Sequence, residues 1–147
     1  MVNMNITKND VKNYNNFGWI VFRNVFDKKK IKSFKSEIFS FLKKNHKKYQ
    51  GRHVNYFGDV RAFKEISSFH RLQANKKIKK FAKFGVIPKI AQKLLNKKPE
   101  LRASELFIKK KGFGKPTPIH QDAYYWNVKN DEGLTLWVAL TPSNKKN

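Results

Sequence analysis

The chain contains no cysteine, which removes disulfides and thiolate metal sites and is compatible with a reducing compartment. It also lacks any long apolar run. No segment approaches the roughly 20 apolar residues that a membrane helix needs. Met1 to Asp10 is polar where a secretion signal would carry an apolar core. The expected location is therefore cytoplasmic, with no membrane partner. Acidic residues are scarce, 10 against 33 basic ones, for a formal net charge of +23. Such a balance ordinarily points to nucleic acid or another anionic surface. Arginine is scarce too, however. Only Arg23, Arg52, Arg61, Arg71 and Arg102 are arginines, and the lysines are spread along the chain among Asn, Ile and Phe. Base-reading sites favour Arg, and phosphate tracking wants charge gathered on one face. The charge therefore reads as a solvated lysine surface, with a basic nucleic-acid- or anion-binding protein as the alternative.

What is present is material for a core. A hydrophobic content of 39%, with 14% aromatic, over 147 residues fits one folded domain, residues 1–147. No internal repeat or low-complexity segment appears beyond the lysine enrichment. Thr7 with Asp10 three residues on resembles a capping box, so a short helix is expected from about Lys8 to Asn16, stopping at Gly18. Trp19 to Phe22 reads as a strand. Asp27 suits the N-cap of the clearest helix, in which Ile31, Phe34, Ile38, Phe41 and Leu42 recur at three-to-four-residue spacing through Lys44. Gln50 to Val60 is irregular, with turns at Gly51 and Gly58. Two more helices are expected, from about Asn75 to Phe84 and from Pro88 to Leu95.

After Pro99 the pattern changes. Ala103 to Lys110 alternates, with Leu106, Ile108 and Lys110 on one face, as a half-buried strand does. Gly112 to Pro118, with two Gly and two Pro, reads as a loop. Ile119 to Trp126 and Leu134 to Leu140 read as further strands joined by the turn-rich Asn130 to Gly133. Helices first (about 1–98) and strands afterwards (about 99–147) predict an α+β arrangement.

The most informative residues are His120-Gln121-Asp122. On an extended segment an imidazole and a carboxylate two residues apart share one face and could reach one metal ion. A non-heme Fe(II) centre takes two His and one carboxylate and leaves the other positions open, but no His follows Asp122. His46, His53 and His70 are the candidate substitutes. His46, in a lysine run near a helix end, reads as solvated; for His53 and His70 a structural role is favoured over ligation. Tyr124, Tyr125 and Trp126 receive no assignment, since an aromatic run is a normal core feature.

Two blocks together resemble the phytanoyl-CoA dioxygenase family of Fe(II)- and 2-oxoglutarate-dependent oxygenases. The first is Asn16-Phe17-Gly18-Trp19-Ile20-Val21-Phe22-Arg23-Asn24-Val25-Phe26 followed by the Asp27-capped helix. The second runs from Leu106-Phe107-Ile108-Lys109-Lys110 through His120-Gln121-Asp122 to Leu136-Trp137-Val138-Ala139-Leu140. The resemblance implies N-terminal helices packed on a double-stranded β-helix, a cupin-like jelly roll, here incomplete. It implies His120 and Asp122 as metal ligands for Fe(II), and Lys110 and Trp137 as residues beside the co-substrate 2-oxoglutarate. Gln121 would point away from the metal and orient its neighbours. The implied reaction uses molecular oxygen to hydroxylate a small organic substrate.

The family continues beyond the Trp137 strand to a distal His and an Arg that pairs with the far carboxylate of 2-oxoglutarate; here the sequence reaches Ser143 to Asn147 at that point. The expectation is thus an N-terminal portion of such a domain. It would be inactive, or dependent on a complementary chain, without the third ligand, and open to self-association through exposed sheet edges.

Overall fold

The computed structural model describes residues 4–110, 117–126, 128–129 and 132–142. Its elements follow the order α1 (Lys8–Phe17), α2 (Lys28–Asn45), β1 (Val54–Tyr56), β2 (Ile66–Phe69), α3 (Lys76–Lys83), α4 (Val86–Leu95), β3 (Leu106–Phe107) and α5 (Asp122–Trp126). This is an α+β architecture of helices around a small antiparallel sheet in the order β1-β2-β3. None of the described helices is long and apolar enough to cross a membrane.

The helix boundaries follow from their caps. Thr7 and Asp10 form the expected capping box, with the Asp10 amide donating to Thr7 Oγ1 at 3.1 Å and the Thr7 amide to Asp10 Oδ2 at 2.8 Å. The Thr7 backbone hydrogen bond, followed by that from its hydroxyl, holds the Asp10 carboxyl below its ordinary value. Gly18 ends α1 at φ 75°, the left-handed conformation that glycine adopts without a Cβ penalty. Asp27 accepts from the Lys30 amide at 2.6 Å. Asn75 caps α3 through the Lys77 and Ile78 amides, and its amide also donates to Glu37 on α2 at 2.9 Å, tying the two helices. α4 begins at Val86, two residues before the expected Pro88. Proline is tolerated there because the first-turn N–H groups have no intrahelical partner.

Three strand expectations are corrected. Trp19 to Phe22 forms no strand; Trp19 and Val21 stand 67% and 59% exposed, so no partner strand covers them. Ile119 to Trp126 is not a strand either: its second half is the helix α5, with an acidic residue in the first turn that suits the helix dipole. Leu134 to Leu140 joins no sheet, yet its burial alternates as an extended segment's does. Leu134, Leu136, Val138 and Leu140 are half-buried, and Thr135, Trp137 and Ala139 are exposed. Conversely β1 lies inside the stretch read as irregular, and β2 follows it unforeseen. The expected loop at Gly112 to Pro118 and turn at Asn130 to Gly133 fall largely outside the described residues, as do Ser143 to Asn147.

The core lies between α2 and the sheet. Ile38 and Leu42 from α2 meet Val54, Ile66, Phe69 and Leu106 from the strands, with Leu72 and Ile78 closing one side. At about 1.5–3 kcal/mol per fully buried apolar side chain, this cluster is the main source of stability. His46, expected to be solvated, is 6% exposed. The backbone tightens into a 3-10 turn (His46–Tyr49) after α2, which swings the ring inward beside Phe63 and within 3.1 Å of the Tyr56 hydroxyl.

Pairing across the sheet fixes its second face. Val54 opposes Phe69 and Phe69 opposes Leu106 on the core side, while Asn55 opposes Ser68 and Ser68 opposes Phe107 on the outer side. Because side chains alternate along each strand, His70 and Glu105 continue that outer row one step further along.

Candidate metal centre and the sheet face beside it

His120 and Asp122 are brought together, though by a turn entering α5 rather than by strand alternation. His120 Nε2 stands 3.3 Å from Asp122 Oδ1, with each side chain 39% exposed. The other ring nitrogen, Nδ1, lies 2.7 Å from the Pro118 carbonyl oxygen. A carbonyl only accepts, so Nδ1 carries a proton, and in the neutral ring Nε2 is then a bare lone pair. Two lone-pair groups facing one point repel unless a proton or a metal cation lies between them, so the contact is an ion pair with a protonated ring and a ligand pair with a neutral one. Donors bound to a first-row metal at about 2.1 Å and at right angles stand about 3 Å apart, so the observed separation fits two adjacent ligands of one ion.

Thr135 was not anticipated from the sequence. Its hydroxyl donates to Asp122 Oδ2 at 2.5 Å, which fixes the carboxylate's rotation and leaves Oδ1 toward His120. The signal for it was present, since Thr135 shares the exposed face of its extended segment with Trp137. Tyr125 packs edge-on against the His120 ring with centroids 6.0 Å apart.

The remaining candidates separate. Gln121 is exposed, and its carbonyl accepts from the Tyr124 amide in the turn that opens α5. Lys110 Nζ reaches both carboxylate oxygens of Glu65, at 3.0 and 3.2 Å. Trp137, 75% exposed, stacks on Phe107 with centroids 6.0 Å apart and an interplanar angle of 15°. His46 is in the core. His53 meets Arg71 at 3.4 Å, and His70 belongs to the sheet face. Among the described residues no group of three or more His, Cys, Asp or Glu could hold one metal, so none of these histidines completes the pair.

The sheet face carries a second polar group unforeseen in the sequence. His70 Nδ1 lies 3.3 Å from Glu105 Oε2, and His70 Nε2 lies 2.8 Å from Ser68 Oγ and 3.2 Å from Asn55 Nδ2. Asn55 Nδ2 also donates to Ser68 Oγ at 2.9 Å. Phe107 and His70 stand edge-on to one another, with centroids 5.6 Å apart. The segment 134–140 joins the two groups: Thr135 touches Asp122 and Trp137 touches Phe107, and two residues of extended chain span at most about 7 Å.

A sequence model of the phytanoyl-CoA dioxygenase (PhyH) family matches residues 14–147. No curated protein and no solved structure shows a significant match to the chain.

Proposed function

Because the chain belongs to the phytanoyl-CoA dioxygenase family, we propose that it acts as an Fe(II)- and 2-oxoglutarate-dependent dioxygenase that hydroxylates a small organic substrate. The observation that carries this reading is the His120–Asp122 pair, with Nδ1 held by Pro118, Nε2 turned toward Asp122 Oδ1 and the carboxylate set by Thr135. These two residues would hold Fe(II). Bound there with 2-oxoglutarate, the metal supplies oxygen activation coupled to decarboxylation of the co-substrate.

This chain's own contribution is positional. Pro118 keeps the His120 proton off the ligating nitrogen, Thr135 keeps the carboxylate aimed, and Tyr125 limits rotation of the imidazole. Trp137 offers a flat apolar wall beside the pair. Lys110 offers a cation for a carboxylate of 2-oxoglutarate, which would share it with Glu65. Gln121 supports the turn that presents both ligands. In this reading the three-stranded sheet and the extended segment 134–140 would belong to one part of a double-stranded β-helix. The third ligand and the clamp for the far carboxylate come, in this reading, from outside the described residues, either from further sequence or from a complementary chain.

The test is anaerobic titration with Fe(II), or with Co(II) as a spectroscopic stand-in. His120→Ala and Asp122→Ala should each weaken binding at least tenfold, and affinities equal to the parent chain in both variants would overturn the assignment. With only two ligands from the described residues, the chain by itself should release little succinate from 2-oxoglutarate. Robust Fe(II)-dependent release that His120→Ala abolishes would show that the remaining ligand is already supplied.

A further inference from the structure

The row Asn55, Ser68, His70 and Glu105 has the connectivity of a nucleophile, base and acid, with Ser68 Oγ on His70 Nε2 and His70 Nδ1 on Glu105. Acyl transfer is nevertheless ruled out by its setting. Ser68 lies on the central strand, whose amides lie in the plane of the sheet, so no pair of N–H donors stands above Oγ to receive an oxyanion. Ser68 is also only 6% exposed.

The hydrogen-bond polarity points elsewhere. Glu105 takes the proton-bearing Nδ1 of His70; with the ring neutral, Nε2 then accepts, and both the Ser68 hydroxyl and the Asn55 amide turn their hydrogens inward toward it. What the row leaves facing outward is acceptors. Glu105 Oε1 and Asn55 Oδ1 have no partner among the described residues. In a chain with 33 basic side chains, Glu105 is paired with an imidazole, whereas Glu37 and Glu65 are taken by lysines. Beside it stand two stacked aromatic rings, Phe107 and the 75% exposed Trp137, whose faces attract cations.

From this juxtaposition we infer that the outer face of the sheet holds the ammonium group of an amine-bearing substrate, with Glu105 as the counter-charge and the Phe107–Trp137 stack as the aromatic wall. The inference rests on the reading of His120–Asp122 as the reaction centre for its catalytic meaning, though not for the binding itself. Thr135 touches Asp122 and Trp137 stacks on Phe107, so one extended segment connects the two groups and the substrate is an amine that reaches from one to the other.

The test uses the full chain without metal, at fixed ionic strength, with n-butylammonium as the probe and 1-butanol as its neutral counterpart. The readout is the indole N–H resonance of Trp137, assigned by its disappearance in Trp137→Phe. Butylammonium should shift it saturably and bind at least tenfold more tightly than butanol. Glu105→Gln, nearly isosteric, should erase that preference. Trp137→Ala, at an exposed position that does not threaten folding, should weaken butylammonium binding as followed by calorimetry. Equal responses to the two probes, or an unchanged preference in Glu105→Gln, would overturn the proposal. His120→Ala should leave butylammonium binding intact while weakening metal binding at least tenfold, so failure of one reading is separable from failure of the other.

Discussion

The stretch from α2 to β3 and the stretch from Thr117 to Pro142 are built on different principles. Every buried apolar side chain among the described residues lies between Ile38 and Leu106. From Thr117 onward no described residue is buried, and Ile119, Tyr124, Tyr125 and Trp137 stand open to solvent. The first region is held by burial, which is strong and non-directional. The second is held by a few directed contacts: Pro118 on His120, Thr135 on Asp122, Trp137 on Phe107, and Leu140 packed against the core cluster. Core stability and the geometry of the His120–Asp122 pair are therefore largely separable in this chain, and that geometry depends on hydrogen bonds that a single substitution can remove.

The sharpest way to break that contrast is to cut into each region. Phe69 is fully buried, with Tyr49 and Phe41 edge-on to its ring at 5.3 and 5.9 Å. Phe69→Ala should cost about 3–5 kcal/mol of unfolding free energy, the usual result of deleting a core aromatic. Tyr124→Ala, at an 85% exposed position, should stay within about 0.5 kcal/mol. Urea denaturation followed by circular dichroism measures both. Similar losses for the two would mean that the C-terminal stretch carries stability its exposure conceals.

Thr135→Val reverses the expected pattern. It keeps the side chain's shape and removes the hydroxyl on Asp122 Oδ2, so metal affinity should fall about tenfold, or ~1.4 kcal/mol, as for other partners that orient a ligand. The urea midpoint should not move. An unchanged Co(II) affinity would mean that the carboxylate is aimed by something other than Thr135.

What could be read from the sequence follows the same division. Caps and helical periodicity depend on neighbouring residues, so Thr7–Asp10, Asp27 and the apolar stripe of α2 were visible without a structure. β1 and β2 were not, because Val54 to Tyr56 and Ile66 to Phe69 are too short for alternation to declare itself and the bulge at Asn55/Tyr56 breaks what pattern there is. The row Asn55, Ser68, His70 and Glu105 went with them, since it exists only through cross-strand register. At His120 and Asp122 the expected approach of the two side chains is present, but the expected strand is a turn entering a helix. Two positions i and i+2 can converge through a turn as well as along a strand, and the sequence does not choose between these. His46 failed for a similar reason: its lysine neighbours suggested water, whereas the turn after α2 directs its ring alone into the core.

His46 also yields the smallest and most selective prediction. Burial, reinforced by Lys47, pushes its imidazole below the ordinary value near 6.5. Burial pushes the Tyr56 phenol up, so it stays neutral beside His46 Nδ1, 3.1 Å away. Above the unfolded value of about 6.5 the ring is neutral in both states and its burial carries no proton-linked penalty. As the pH falls below that value, the unfolded chain takes up a proton that the folded chain resists, and stability declines until the lower folded value is reached. Asp10 and Glu37 act in a separate window. Their folded values are lowered by Thr7 and by Asn75 with Lys77, respectively, so what they contribute is lost only as the pH falls through the carboxylate range near 4. Unfolding midpoints at pH 7, 6 and 5 should therefore fall in the parent chain and flatten in His46→Gln. A slope that survives the substitution would place this part of the pH dependence outside the core, at His53, His70 or His120.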